Sequence, residues 1–236
     1  MYRVLAISCH PDDMEICCAG TLLKCKKRGD EVFVCHVANG NMGHVVIEPD
    51  ELRETRIGEA KASAKIGGFN VTTCDIGDLC INSADVTQHD KLVGIIRSVR
   101  PDFIITHAPD DYMPDHNETS KLAFGASFSA SVPHYRPDLG EAIDIVPMFY
   151  MDNVAMLNCE PDIFVDITDE IETKLKMLAC HDSQIAWLEE HDNLDVIEKT
   201  RVQSRFRGLQ CGTTYAEGFR LCRAALRISN KRYLPE

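Results

Sequence analysis

Short runs rich in Val, Ile, Leu and Phe recur between helix-length stretches, and this alternation constrains the fold more than any other feature of the chain. Arg3 to Ser8 reads as a strand, and a helix-compatible stretch follows from Met14 to Arg28. Glu31 to Val37 is a second β-rich run, closed by the turn-like Asn39 to Gly43. Asp50 caps a predicted helix running to about Ile66, where Gly67 and Gly68 stop it. Val71 to Cys74 reads as a third strand, Lys91 to Val99 as a helix, and Asp102 to Thr106 as a fourth strand. The segments Pro147 to Tyr150 and Ile163 to Asp166, a capped helix from Thr168 to Ala179 and a polar helix from about Leu194 to Gly208 complete the chain. Parallel strands require crossover connections, so this spacing predicts one α/β domain over residues 1–236. Its sheet should be Rossmann-like and mostly parallel, with helices on both faces.

Composition narrows the function. Lys and Arg number 25 against 37 Asp and Glu, a net charge of -12, which disfavours a nucleic-acid partner whose phosphates demand a basic face. No stretch approaches the roughly 20 consecutive apolar residues that span a bilayer, so neither a membrane anchor nor a signal peptide is expected. Eleven cysteines are scattered with no CxxC pair. That pattern reads as reduced, buried thiols in a cytoplasmic protein.

The chemistry concentrates in two loops. Cys9-His10-Pro11-Asp12-Asp13 follows the first strand, and His107 to His116, with Asp110, Asp111 and Asp115, follows the fourth. In a doubly wound sheet both loops leave the same edge. Either loop alone reads as turn chemistry, with His-Pro-Asp-Asp capping the helix that begins near Met14. Together they assemble imidazoles and carboxylates of the kind a borderline-soft divalent metal accepts, with a position left open for water.

These residues resemble the LmbE-like, PIG-L-type family of zinc-dependent N-acetylglucosaminyl deacetylases. His-Pro-Asp-Asp matches its first signature and Pro114-Asp115-His116 the end of its second. Arg56 to Ala60 resembles the family's arginine helix, and Phe164 to Thr168 its later strand-to-helix junction. His181 to Gln184 and Tyr215 to Arg220 resemble its carboxy-terminal landmarks. The resemblance implies that His10, Asp13 and His116 bind one Zn2+ and that Asp12 is the general base. It further implies that Arg56 reaches the substrate and that Asp78 lines the sugar pocket. The implied substrate is a small-molecule amino sugar carrying an N-acetyl group, and homo-oligomers are expected because family members often assemble. His181 is assigned a structural role.

One departure stands out. The family's second motif opens with a histidine that stabilises the oxyanion and protonates the leaving amine, and here that position is Met113. A thioether donates no proton. His107 is the nearest imidazole in sequence to serve as acid, Tyr112 is a further donor, and Asp115, which loses the histidine it would orient, is expected to hold His116 or a substrate group at the catalytic site instead. Two alternatives therefore stand beside a deacetylase: a sugar- or metal-binding member without catalysis, and a two-histidine, one-carboxylate Fe(II) enzyme.

Overall fold

Side chains buried on both faces of β1 (Arg3–Ser8) show how the sheet is covered: Val4 and Ala6 pack into one apolar layer and Leu5 and Ile7 into the other. The structure is a computed structural model describing residues 1–236. The remaining strands are β2 (Glu31–Ala38), β3 (Asn70–Ile76), β4 (Phe103–Thr106), β5 (Met148–Met151), β6 (Ile163–Asp166) and β7 (Ala216–Leu221). They form one seven-stranded sheet in the order β3-β2-β1-β4-β5-β7-β6. The first five strands of that order pair in parallel, whereas β7 runs antiparallel to both β5 and β6.

Helices cover both faces, as the alternation predicts. One core layer takes residues of α1 (Asp13–Cys17), α2 (Ala19–Lys27), the end of α3 (Pro49–Gly67) and α6 (Ile171–Leu178). The other takes α4 (Val86–Val99) and α5 (Pro114–Ser129). Two further helices, α7 (Asp182–Asp192) and α8 (Val196–Cys211), lie towards the carboxy terminus, where α8 packs on β7. No helix is long and apolar enough to cross a membrane.

The structure departs from the sequence reading in several elements. The helix expected over Met14 to Arg28 breaks at Cys18, whose φ of -147° interrupts it. The N-terminus of α2 is held there by Glu217 from β7, whose carboxylate accepts from Gly20 N at 2.9 Å and Thr21 N at 2.7 Å. Lys174 of α6 completes this buried group, donating to Glu217 Oε1 at 2.6 Å and to Ile16 O at 2.9 Å. Asp85 caps α4 by accepting from Thr87 N and Gln88 N, so that helix starts at Val86 rather than Lys91. Gly68, at φ 67°, ends α3 in the left-handed turn placed there by the sequence. Helices α5 and α7 and strand β7 were not anticipated.

β1 pairs with β2 on one side and β4 on the other. The loops after β1 and β4 therefore meet at the point where the strand order reverses, which is where open α/β sheets bind ligands.

Candidate active site

The two loops are tied together at their bases, where Cys9 N donates to His107 Nε2 at 2.9 Å. Asp13 then opens α1, and its Oδ2 accepts from His10 N at 2.7 Å. That same oxygen lies 3.4 Å from His10 Nδ1 and 3.2 Å from His116 Nε2. Pro114 starts α5, whose first turn brings His116 inward. His116 Nδ1 sits 3.0 Å from Asp111 Oδ2. Asn117 clamps the Asp111 backbone on both sides, accepting from its N–H and donating to its carbonyl, each at 2.8 Å.

With Nδ1 donating to Asp111, His116 Nε2 presents a lone pair, and this buried atom has no hydrogen-bond partner in the protein. Cys9, His10, Asp13 and His116 offer ligand atoms that all lie within 4.8 Å of one another. The set contains the three residues singled out in the sequence, with the Cys9 thiol added. A closed group of acceptors facing an orphaned imidazole nitrogen fits a divalent cation. The pocket favours positive charge: burial alone would lower the His116 pKa, but the Asp13 charge and the bonds to Asp111 and Asp13 push it up to about 10, so a cation held at Nε2 takes the place of a proton there. Burial likewise opposes the ionised form of Asp13, yet the His116 charge and bonds from the surrounding histidines hold its pKa well below the usual carboxylate value.

Asp12 points elsewhere. Its backbone sits at φ 114°, ψ -30°, a region that costs a non-glycine residue about 1–3 kcal/mol. Arg56 holds this turn, donating to Pro11 O and to Asp12 Oδ2 at 3.1 Å, and to Gly40 O at 3.2 Å. Burial raises the Asp12 pKa to about 6 against the opposing pull of Arg56. Gly40 (φ 79°) makes this anchorage possible, because a Cβ there would stand 2.6 Å from the Arg56 side chain.

Other residues expected to act on substrate are engaged by the protein. Asp78 accepts from Gly40 N at 2.8 Å and Met42 N at 3.0 Å, so both its oxygens order the loop after β2. Asp115 accepts from Leu79 N at 2.8 Å and lies 3.4 Å from His10 Nε2, supporting His10 rather than His116. His107 is 1% exposed and stands behind the cluster, outside the cleft lining. Its Nε2 accepts from Cys9 N, and burial with the His116 charge lowers its pKa to about 4. A neutral ring already accepting a backbone proton is placed as a loop anchor, so this geometry does not support the expectation that His107 is the acid.

The cleft above the cluster has a volume of about 460 Å3. His10, Asp12, Asp13, Arg56, Asp78 and Asp115 line it, together with Tyr112, Met113, Gln184 and Lys199. Lys199 escaped the sequence reading, and Asp111 and Gln184 were named there without a role at the site. Asp111 alone left a local signal: it precedes a proline-initiated helix turn that returns His116 to it.

Beneath α1, Glu15 and His181 form a fully buried pair, with Glu15 Oε1 at 3.1 Å from His181 Nε2. Ser63 donates to the same carboxylate oxygen. This accounts for His181 as a structural landmark.

Comparison with known proteins follows the same lines. The profile of the family described as PIG-L, GlcNAc-PI de-N-acetylase, matches residues 5–127. The diacetylchitobiose deacetylase of Thermococcus kodakarensis is 30% identical over 233 residues, covering 92% of this chain and 82% of that protein. The structure of the N,N'-diacetylchitobiose deacetylase from Pyrococcus horikoshii, complexed with its inhibitor MPG, superposes with a TM-score of 0.81. It is 26% identical, and the match covers 94% of this chain and 84% of that one. A 4-oxalmesaconate hydratase of Pseudomonas putida is 28% identical over 187 residues, covering 75% of this chain and 71% of that protein. With the family profile extending over more than half its length, the chain belongs to the PIG-L family of GlcNAc-PI de-N-acetylases.

Proposed function

We propose that this protein is a metal-dependent hydrolase that removes the N-acetyl group from an N-acetylglucosamine-type sugar or conjugate. The observation that carries the reading is the convergence of His10 and Asp13, at the cleft floor, on the buried His116 Nε2 behind them, beside an Arg56-anchored Asp12 that faces the same cleft. His10, Asp13 and His116 would hold the metal, for which we propose Zn2+. Bound there, it would supply a Lewis acid that polarises the acetamide carbonyl and brings the pKa of water down to about 7.

The chain's own groups do the proton work. Asp12, ionised and facing the cleft, takes a proton from water as its oxygen attacks the amide carbon. Arg56 fixes the direction of that carboxylate. The Tyr112 phenol, kept protonated because burial raises its pKa to about 12, is the donor available to the developing oxyanion. With a thioether at Met113, the proton that the departing amine needs comes from the carboxyl group of Asp12, which has just received one. A carboxyl raised by burial suits both halves of that cycle.

One observation favours a second reading. Met113 removes a donor that amide cleavage uses to expel an amine, whereas adding water to a carbon–carbon double bond has no amine to expel, and one relative is a hydratase. Amine release from a panel of N-acetylglucosamine conjugates by zinc-loaded protein separates the two. Release abolished by chelator supports deacetylation, and no release from any conjugate by metal-loaded protein overturns it.

A further inference from the structure

Two long cationic side chains face the cleft, Arg56 and Lys199. Arg56 is already committed to Asp12, Pro11 O and Gly40 O. Lys199 is not. It enters from the first turns of α8, a helix fixed by Asp195, which accepts from Glu198 N at 2.8 Å through its side chain and from Lys199 N at 2.9 Å through its carbonyl. The side chain is half-buried, on a stretch of wall that includes Ile16, Val154, Leu194 and Val196. None of the protein's ion pairs includes it. Asp192, the acidic residue of the lining nearest to it in the chain, is half exposed, lies 2.8 Å from His191 and forms no ion pair with Lys199.

An ammonium drawn out of water against an apolar wall is unfavourable without a counter-charge. Desolvation lowers the Lys199 pKa, and Cys17, the titratable group that opposes this, is a thiol kept neutral by its own burial. Elsewhere this acidic chain neutralises buried cations from within, as Glu217 does for Lys174 and Asp152 for Arg207. At the cleft wall no carboxylate of the protein pairs with Lys199, and an anionic group on a ligand in the cleft can fill that place.

We infer that Lys199 is a specificity-determining residue that binds an anionic substituent of the substrate, a carboxylate or phosphate ester carried beyond the reacting group. The inference rests on the reading of this cleft as the substrate site, and it deepens that reading by naming a substrate class. The apolar wall around Lys199 excludes water from the ion pair and strengthens it.

The test uses binding, so that it is decided even if the proposed reaction fails. Dissociation constants are measured by calorimetry on zinc-loaded Asp12→Asn protein for N-acetylglucosamine, N-acetylglucosamine 6-phosphate and N-acetylmuramic acid. A charge-assisted contact of this kind corresponds to about 10- to 100-fold in affinity. At least one anionic probe is expected to bind more tightly than the neutral sugar by that factor. Adding Lys199→Met should close the gap, and Lys199→Arg should restore most of it. A preference confined to the 6-phosphate identifies a phosphate ester, and one confined to N-acetylmuramic acid identifies a carboxylate. Equal binding of all three probes, or a preference that survives Lys199→Met in folded protein, overturns the inference. Amine release from the same probes by the Asp12 enzyme is scored separately, so its absence counts against deacetylation alone.

Discussion

Asp12 and Asp13 are neighbours with different tasks, and a strained backbone at Asp12 separates them. Asp13 turns into the histidine cluster while Asp12 faces the cleft under the hand of Arg56. Asp12→Asn keeps the shape and removes the proposed base, so kcat should fall on the order of 100- to 10,000-fold with metal content retained. Gly40→Ala tests the anchor: its Cβ collides with Arg56 and its φ is positive, so stability should fall by about 1–3 kcal/mol in denaturant titration, with kcat/KM falling alongside. The His-Pro-Asp-Asp sequence announced the cluster because its four residues act within one turn. The engagement of Arg56, Asp78 and Asp115 by backbone groups from distant loops left no local trace. Their residue types were legible, and their partners were not.

At the scale of elements, the buried Glu15–His181 pair joins α1 to the start of α7. Burial opposes charge on Glu15, but His181 and Ser63 lower its pKa from 4.5 to about 2, while Glu15 raises that of His181 above 6.5 despite burial. The depressed carboxylate contributes stability above pH 4.5 that is lost as pH falls towards about 2. The raised imidazole contributes fully below pH 6.5 and loses its contribution as pH rises through its folded pKa. Their joint effect is therefore greatest between these limits. His181→Gln should cost about 3 kcal/mol there, with the difference in melting temperature from the parent shrinking on acidification. The parallel half of the sheet was legible because its strands are runs of apolar residues or, in β3, of β-branched ones. β7 was hidden, since Glu217, Gly218 and Arg220 interrupt its pattern, and Glu217 is there to hold α2 and Lys174. The break at Cys18 was hidden for the same reason: its cause lies two hundred residues away in the chain.

For the whole molecule, two separate chain regions meet only when the sheet forms, so a metal held by the proposed ligands would be coupled to folding. A cation that binds the native state alone, at a free concentration a hundredfold above its Kd, adds about 2.7 kcal/mol. For a chain of this size that amounts to roughly 5–10 °C in melting temperature. Zinc should raise the melting temperature of the parent protein, chelator should reverse the rise, and His116→Ala should abolish it. The doubly wound sheet was legible as a whole from the alternation of its elements, whereas the cleft walls supplied by α7 and α8 depend on contacts made late in the chain.

The most direct measurement determines zinc content and amine release on the same preparations of parent, Asp12→Asn and His116→Ala protein. The expected result is about one equivalent of zinc in the parent and in Asp12→Asn, little in His116→Ala, and amine release by the parent alone. Undiminished release by Asp12→Asn, or full zinc occupancy in His116→Ala, would contradict the roles assigned to these residues.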